Sequence, residues 1–236
     1  ALQGIWAQRN DIKKTIIVHG KISEKSDPSI IYVAVDNPSK YYATVLIETL
    51  RQCGVTVAGK PYASPYEFAG GSLVCETESS LIDTIKICNT NSQNFYAECL
   101  LKMIGFKATG KGTRENGILT IESFLKEAGI DGVSLLDGSG LSRDNIGTPM
   151  SIVKLLALKS QDVNFIESLS RAGESGTLKS RLKGLSGKLI GKSGHISGVA
   201  NLSGYITTKK GRLLAFSILI NGSGDGHFFQ DNLCNL

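Results

Sequence analysis

The apolar positions of this chain follow two rhythms, a strand-like one near both ends and a helical one through the middle. Thr15–His19 and Ile30–Val35 are β-branched and apolar, as strands are, and Asp36-Asn37-Pro38 then supplies a cap and a first-turn proline. A helix is predicted from Pro38 to Cys53. Tyr42, Val45, Leu46, Leu50 and Cys53 recur at helical spacing, and Gly54 stands where a left-handed C-terminal residue is needed. Val55–Ala58 reads as the next strand.

From Ser79 onward helices dominate. Ser79 or Ser80 caps Leu81–Cys88, and a polar break, NTNS, separates it from a helix over Asn94–Ile104 that stops at Gly105. A third helix covers Arg114–Ala128 and ends at Gly129, Val133–Leu136 is a short strand, and Thr148-Pro149 opens a fourth helix. Lys188–Lys192, Leu202–Thr208 and Leu213–Ile220 are three strands, the last two joined by a turn at Lys209–Arg212. Because helices and strands come in separate runs, the class is α+β, an antiparallel sheet flanked by helices.

Composition narrows the function. With 236 residues, 41% of them hydrophobic, the chain can bury a substantial core, and its longest apolar run, Leu213–Ile220, is far short of the roughly 20 residues of a membrane span. The net charge of +5 comes from Lys and Arg spread along the sequence, a poor fit to nucleic acid. Five cysteines, Cys53, Cys75, Cys88, Cys99 and Cys234, form no C-x-x-C pair, and His19, His195 and His227 are dispersed, so no metal site, zinc included, is expected. The odd cysteine count leaves the compartment open. Ala1 in place of methionine, and an opening ALQGIWAQRN unlike a secretory signal, leave two readings, a removed leader or a piece of a longer chain. Gly105–Lys111 has phosphate-loop spacing, but Gly112 replaces the magnesium-binding hydroxyl and a helix precedes it, so it is read as a flexible connection.

Two short motifs carry chemistry. Ser92-Gln93-Asn94 is the only S-x-N, placed in the break between two helices, where a hydroxyl can relay a proton and an amide can hold a substrate backbone. Lys192-Ser193-Gly194 is the only K-[ST]-G and closes a strand; its lysine and hydroxyl suit a carboxylate, and its glycine lets a substrate approach the strand edge. Taken singly, a helix cap and a solvated edge lysine are the better readings. Taken in order, about a hundred residues apart, they are the second and third motifs of penicillin-recognising enzymes.

The surrounding blocks make the resemblance specific. SQNFYAECLLKMIG, DGSGLSRDN, GTLKSRL and GKSGHISGVANLSGYITTKKGRLLAFSILING resemble the class C low-molecular-mass penicillin-binding proteins, the D-alanyl-D-alanine carboxypeptidases and endopeptidases. TIIVHGKI and AVDNPSKYYATVLIETLRQCGVTVAG resemble the family's return from its inserted domains. The resemblance implies a β-lactamase/DD-peptidase-like fold, incomplete at its N-terminal side: residues 1–60 as the end of an inserted domain and the return from it, 61–236 as the C-terminal part of the catalytic domain. It further implies a serine acyl-enzyme mechanism on peptidoglycan stem peptides, acylation by β-lactams, no cofactor, and a periplasmic or cell-envelope location. Ser92, Asn94 and Lys192 are then catalytic, and Ser193 and Gly194 bind substrate. Arg143 falls where the family places an arginine near the free end of a diaminopimelate side chain.

The nucleophile is not identified. The family's serine belongs to an S-x-x-K upstream of S-x-N, and residues 1–91 contain none. Ser123–Lys126, Ser151–Lys154 and Ser180–Lys183 have the spacing but lie downstream of S-x-N, which assigns them to chance. The nucleophile is therefore expected in a missing N-terminal part of the same protein, a partner of this chain; the rival expectation is a non-catalytic wall-binding or structural protein on a peptidase scaffold.

Overall fold

The computed structural model describes residues 5–10, 15–26, 28, 30–31, 33–62, 70, 72–222 and 224–235. They fall into two compact units, Ala1–Cys75 and Glu76–Leu236.

In the first unit β1 (Trp6–Asn10) and β2 (Thr15–His19) pair antiparallel, and the Trp6 and His19 rings stack at 4.2 Å across the ladder. Helix α1 (Pro38–Gln52) begins as expected, the Asn37 side chain accepting a hydrogen bond from the Lys40 amide at 2.9 Å. At its other end Gly54 adopts φ +83°, Gly54 N–H donates to Arg51 O, and Val55 N–H donates to Leu50 O. This doubly bonded stop satisfies two of the last carbonyls of the helix. It also removes the strand expected at Val55–Ala58, since the Val55 amide is already engaged. The described part of 30–35 forms no strand either, because among the described residues no ladder partner lies beside it; Asp36, just beyond, forms an ion pair with Arg9.

The second unit holds α2 (Leu81–Asn91), α3 (Asn94–Thr109), α4 (Arg114–Glu127), α5 (Pro149–Leu158), α6 (Val163–Ser168) and α7 (Gly226–Cys234). Its sheet is antiparallel throughout, in the order β3 (Ser170–Arg171), β4 (Leu189–Ile196), β5 (Val199–Thr207), β6 (Leu213–Asn221). The class is α+β. Successive side chains alternate between faces. On one face Leu189 and Leu202 are buried with Ala172, Leu178 and Leu182, against Phe216 and Cys234. On the other, Tyr205 packs with Leu156 and Leu169, beside Ile190 and Phe165, and donates its hydroxyl to Leu156 O at 2.6 Å. Arg181, ahead of β4, holds α7 through Asp231 at 2.5 Å and the fully buried Gln230 at 3.0 Å.

Four expectations change here. Gly105 does not stop a helix: α3 runs on to Thr109, and Gly110, at φ +75°, is its C-cap. A Cβ on Gly105 would lie 2.6 Å from Gly117 N, so these two glycines let α3 and α4 touch backbone to backbone. The supposed flexible connection at Gly105–Lys111 is accordingly mostly helix. Val133–Leu136 is reduced to one bridge, Ser134 with Ile146. The strand carrying Lys192 does not close there but continues to Ile196, which places the motif in mid-strand. No helix among the described residues is long and apolar enough to cross a membrane.

Candidate active site

Helix α2 runs to Asn91 and its chain then turns sharply. Ser92 has φ 54° and ψ 52°, a left-handed conformation shared among described non-glycine residues only with Leu182. For a residue with a Cβ this costs roughly 1–2 kcal/mol. The turn is held because the Ser92 and Gln93 amides both donate to Cys88 O, and α3 starts immediately at Asn94. The outcome is a hydroxyl lifted from the helix end towards β4.

Lys192 comes to meet it from the sheet, opposite Ser203 in the ladder. Its Nζ donates to Ser92 Oγ at 2.7 Å and to Ser193 O at 2.5 Å, joining residues a hundred positions apart. Burial pushes the Lys192 pKa below the ordinary lysine value, against a smaller opposing effect of Cys88; burial raises the Cys88 thiol above its usual value. Cys88 Sγ donates to Gln93 O at 3.7 Å.

The next residue is anchored separately. Ser193 Oγ donates to Thr177 Oγ1 at 2.7 Å, and the Thr177 amide donates to Ser170 Oγ, which is fully buried and itself donates to Thr90 O in α2. Thr177 and Ser170 thus tie the strand motif back to the helix that presents Ser92. The sequence reading missed both; Thr177 lies in the GTLKSRL block, but only the fold shows that its hydroxyl turns to Ser193.

Ser92, Asn94, Lys192, Ser193 and Gly194 all line one cleft of about 650 Å³, with Ser139, Gly140 and Leu141 from the loop ahead of α5 along another wall. Among the described residues strand β3 pairs only with Ile190 and Gly191, so beyond Gly191 this side of β4 has no described strand beside it. An extended peptide can pair there. The exposed Asn94 amide makes no hydrogen bond to any described residue, which leaves it available to such a peptide. Arg143 is not brought into this cleft: it donates to Ser197 O at 2.8 Å and lines an adjoining cavity of about 580 Å³ that shares Gly140, Gly194 and His195 with it.

The three S-x-x-K serines are elsewhere. Ser151 is 2% exposed and forms a reciprocal cap with Thr148, while Lys154 Nζ donates to Gly129 O. Ser123 bonds Glu127 on its own helix, and neither these two nor Ser180 lines the cleft. The histidines are less dispersed than in the sequence, since His195 and His227 approach to 4.8 Å between rings. No group of three or more His, Cys, Asp or Glu that could hold a metal ion occurs among the described residues.

The profile of the D-Ala-D-Ala carboxypeptidase 3 (S13) family matches residues 5–233. The chain is 34% identical over 223 residues to a D-alanyl-D-alanine carboxypeptidase of Actinomadura sp. (strain R39), covering 88% of this chain and 41% of that protein. It is 31% identical over 219 residues to the D-alanyl-D-alanine carboxypeptidase DacB of Haemophilus influenzae, covering 89% and 46%. The chain therefore spans less than half the length of these two relatives. The crystal structure of penicillin binding protein 4 (dacB) from Haemophilus influenzae superposes with a TM-score of 0.78 at 28% identity, over 98% of this chain and 56% of that one. An extended-spectrum β-lactamase, TLA-3, shares the fold at a TM-score of 0.51 and 20% identity over 67% of this chain and 63% of that one. With its helix-end serine and mid-strand lysine joined across the cleft, the chain belongs to the D-Ala-D-Ala carboxypeptidase 3 (S13) family.

Proposed function

We propose that this chain is the C-terminal portion of a serine-type D-alanyl-D-alanine carboxypeptidase or endopeptidase of the periplasm or cell envelope. The full-length enzyme acts on peptidoglycan stem peptides and is acylated by β-lactams. The observation that carries the reading is the 2.7 Å hydrogen bond from Lys192 Nζ to Ser92 Oγ, at a cleft walled by an open strand edge. The printed names of the relatives support it, as does a structure of the Haemophilus influenzae protein in complex with a β-lactam. Residues 1–60 are the end of an inserted domain with the return from it, and 61–236 contribute to the catalytic domain.

In this reading the nucleophilic serine and its lysine base lie outside these 236 residues. The serine hydroxyl attacks the penultimate D-alanine carbonyl, and its proton passes to the base. Ser92 relays that proton from the base to the amine of the departing D-alanine as the amide C–N bond breaks, leaving an ester on the nucleophilic serine that water hydrolyses. The Lys192 charge and the Ser193 hydroxyl hold the substrate carboxylate, Asn94 and the edge at Gly194 hold its backbone, and Arg143 reaches the far end of its side chain. A non-catalytic wall-binding protein is the second reading, favoured by the distance of Ser123, Ser151 and Ser180 from the cleft. Release of D-alanine from a D-Ala-D-Ala-terminated peptide by the full-length protein decides between them. The peptidase reading expects release, reduced about 100-fold or more in both Ser92→Ala and Lys192→Ala, the scale of losing a preorganised polar group at a reacting centre. Peptide binding without release sinks it.

A further inference from the structure

Glu98 lies one turn beyond Asn94 on α3 and has no part in the reaction just described. Its Oε1 accepts two backbone hydrogen bonds from the facing loop, from Gly138 N at 3.1 Å and Ser139 N at 3.0 Å. Its buried Oε2 has no hydrogen-bond partner among the described residues, and Arg114 Nε lies 3.7 Å away. A carboxylate that receives two adjacent amides fixes a loop's position as well as its conformation. The approach is close: a Cβ on Gly138 would lie 2.6 Å from Ala97 O, so the loop backbone rests directly on α3.

Asp137 does a different job in the same loop. It accepts Gly140 N and Ser142 N at 2.7 Å each and Asn145 Nδ2 at 2.8 Å, which sets the loop's internal shape, while Glu98 attaches the loop to α3. The residues so attached are cleft residues: Ser139, Gly140 and Leu141 line the wall that faces β4. At its far side the loop is tied to the β4–β5 turn by Arg143 through Ser197 O.

We propose that Glu98 is a positioning residue for substrate binding, clamping the loop that forms one wall of the cleft to the helix that presents Asn94. This rests on the peptidase reading above. Glu98 touches no reacting atom, so its loss weakens capture of substrate more than it slows chemistry on bound substrate.

The test is the saturation kinetics of acylation by a fluorescent penicillin in the full-length protein. In Glu98→Ala the half-saturating concentration should rise about tenfold or more, the effect of losing charged hydrogen bonds, with the limiting acylation rate within about threefold. Glu98→Gln, which keeps an oxygen for both amides, should stay near the unsubstituted protein. Unchanged half-saturation in Glu98→Ala overturns the proposal, as does an equal loss in the Ala and Gln variants. Should Glu98→Ala fail to fold, amide exchange in the unsubstituted chain decides. Slow exchange at Gly138 and Ser139, faster in Glu98→Asp, is expected, and rapid exchange at both overturns the clamp. If the unsubstituted protein is not labelled by penicillin at all, the peptidase reading fails, while exchange still judges the clamp.

Discussion

At the scale of single residues, the site depends on two side chains held in costly states. Ser92 occupies a left-handed backbone conformation, and Lys192 is buried enough for its pKa to fall. Both costs serve one hydrogen bond, and the lysine's cost is measurable. The unfolded chain carries the ordinary lysine value of 10.5, and the folded value lies below it. Between the two, the unfolded chain holds a proton that the folded chain has released, so stability attributable to Lys192 rises as pH climbs through the folded value and levels off above 10.5. The stability advantage of Lys192→Met over the unsubstituted chain, followed by urea unfolding, should therefore shrink as pH approaches 10.5. An advantage that stays constant from neutral pH upward contradicts a depressed lysine. S-x-N and K-[ST]-G are each unique in the sequence, and the residues they single out, Ser92 and Lys192, are the two that this hydrogen bond joins. It did not show the left-handed turn, since nothing in the letters of Ser92-Gln93 marks a conformation imposed by two amides converging on Cys88 O. Thr177 escaped for a similar reason, its role coming from a turn that only the folded chain makes.

At the scale of elements, boundaries were legible where local chemistry sets them. Asn37-Pro38 opens α1, Gly54 closes it, Thr148-Pro149 opens α5, and the three long strands fall within a few residues of their expected places. They were misread where a tertiary contact overrides the local signal. Gly105 looks like a helix stop and is a packing surface; Val55 looks like a strand residue and completes the end of a helix. The α3–α4 contact gives a sharp prediction, because a Cβ on Gly117 would lie 2.2 Å from Leu101 O, a backbone atom with no rotamer to change. Gly117→Ala should destabilise the chain by about 3 kcal/mol, the upper end of overpacking costs, read from the midpoint of urea unfolding. A loss under about 0.5 kcal/mol would mean that the helices do not meet as closely as described. Since α3 also carries Asn94 and Glu98, spreading this pair should disturb the cleft as well as the core.

At the scale of the whole molecule, the sequence pattern was sufficient for the α+β class and the antiparallel sheet, because separate runs of helices and strands and a period-2 core are properties of long stretches. The convergence of S-x-N and K-[ST]-G on one cleft is a property of topology: α2 ends beside β4 only once α6 and β3 have brought the chain back, with Asn89 and Thr90 bonded to Ser168. The central claim is that this cleft completes a serine acylase whose nucleophile is supplied from outside these 236 residues. Its most direct test is peptide mapping by mass spectrometry of the full-length protein after reaction with penicillin. The account predicts one penicilloyl ester on a serine outside residues 1–236, and no adduct when the 236-residue chain is treated alone. An adduct on Ser151, or none in the full-length protein, would contradict it.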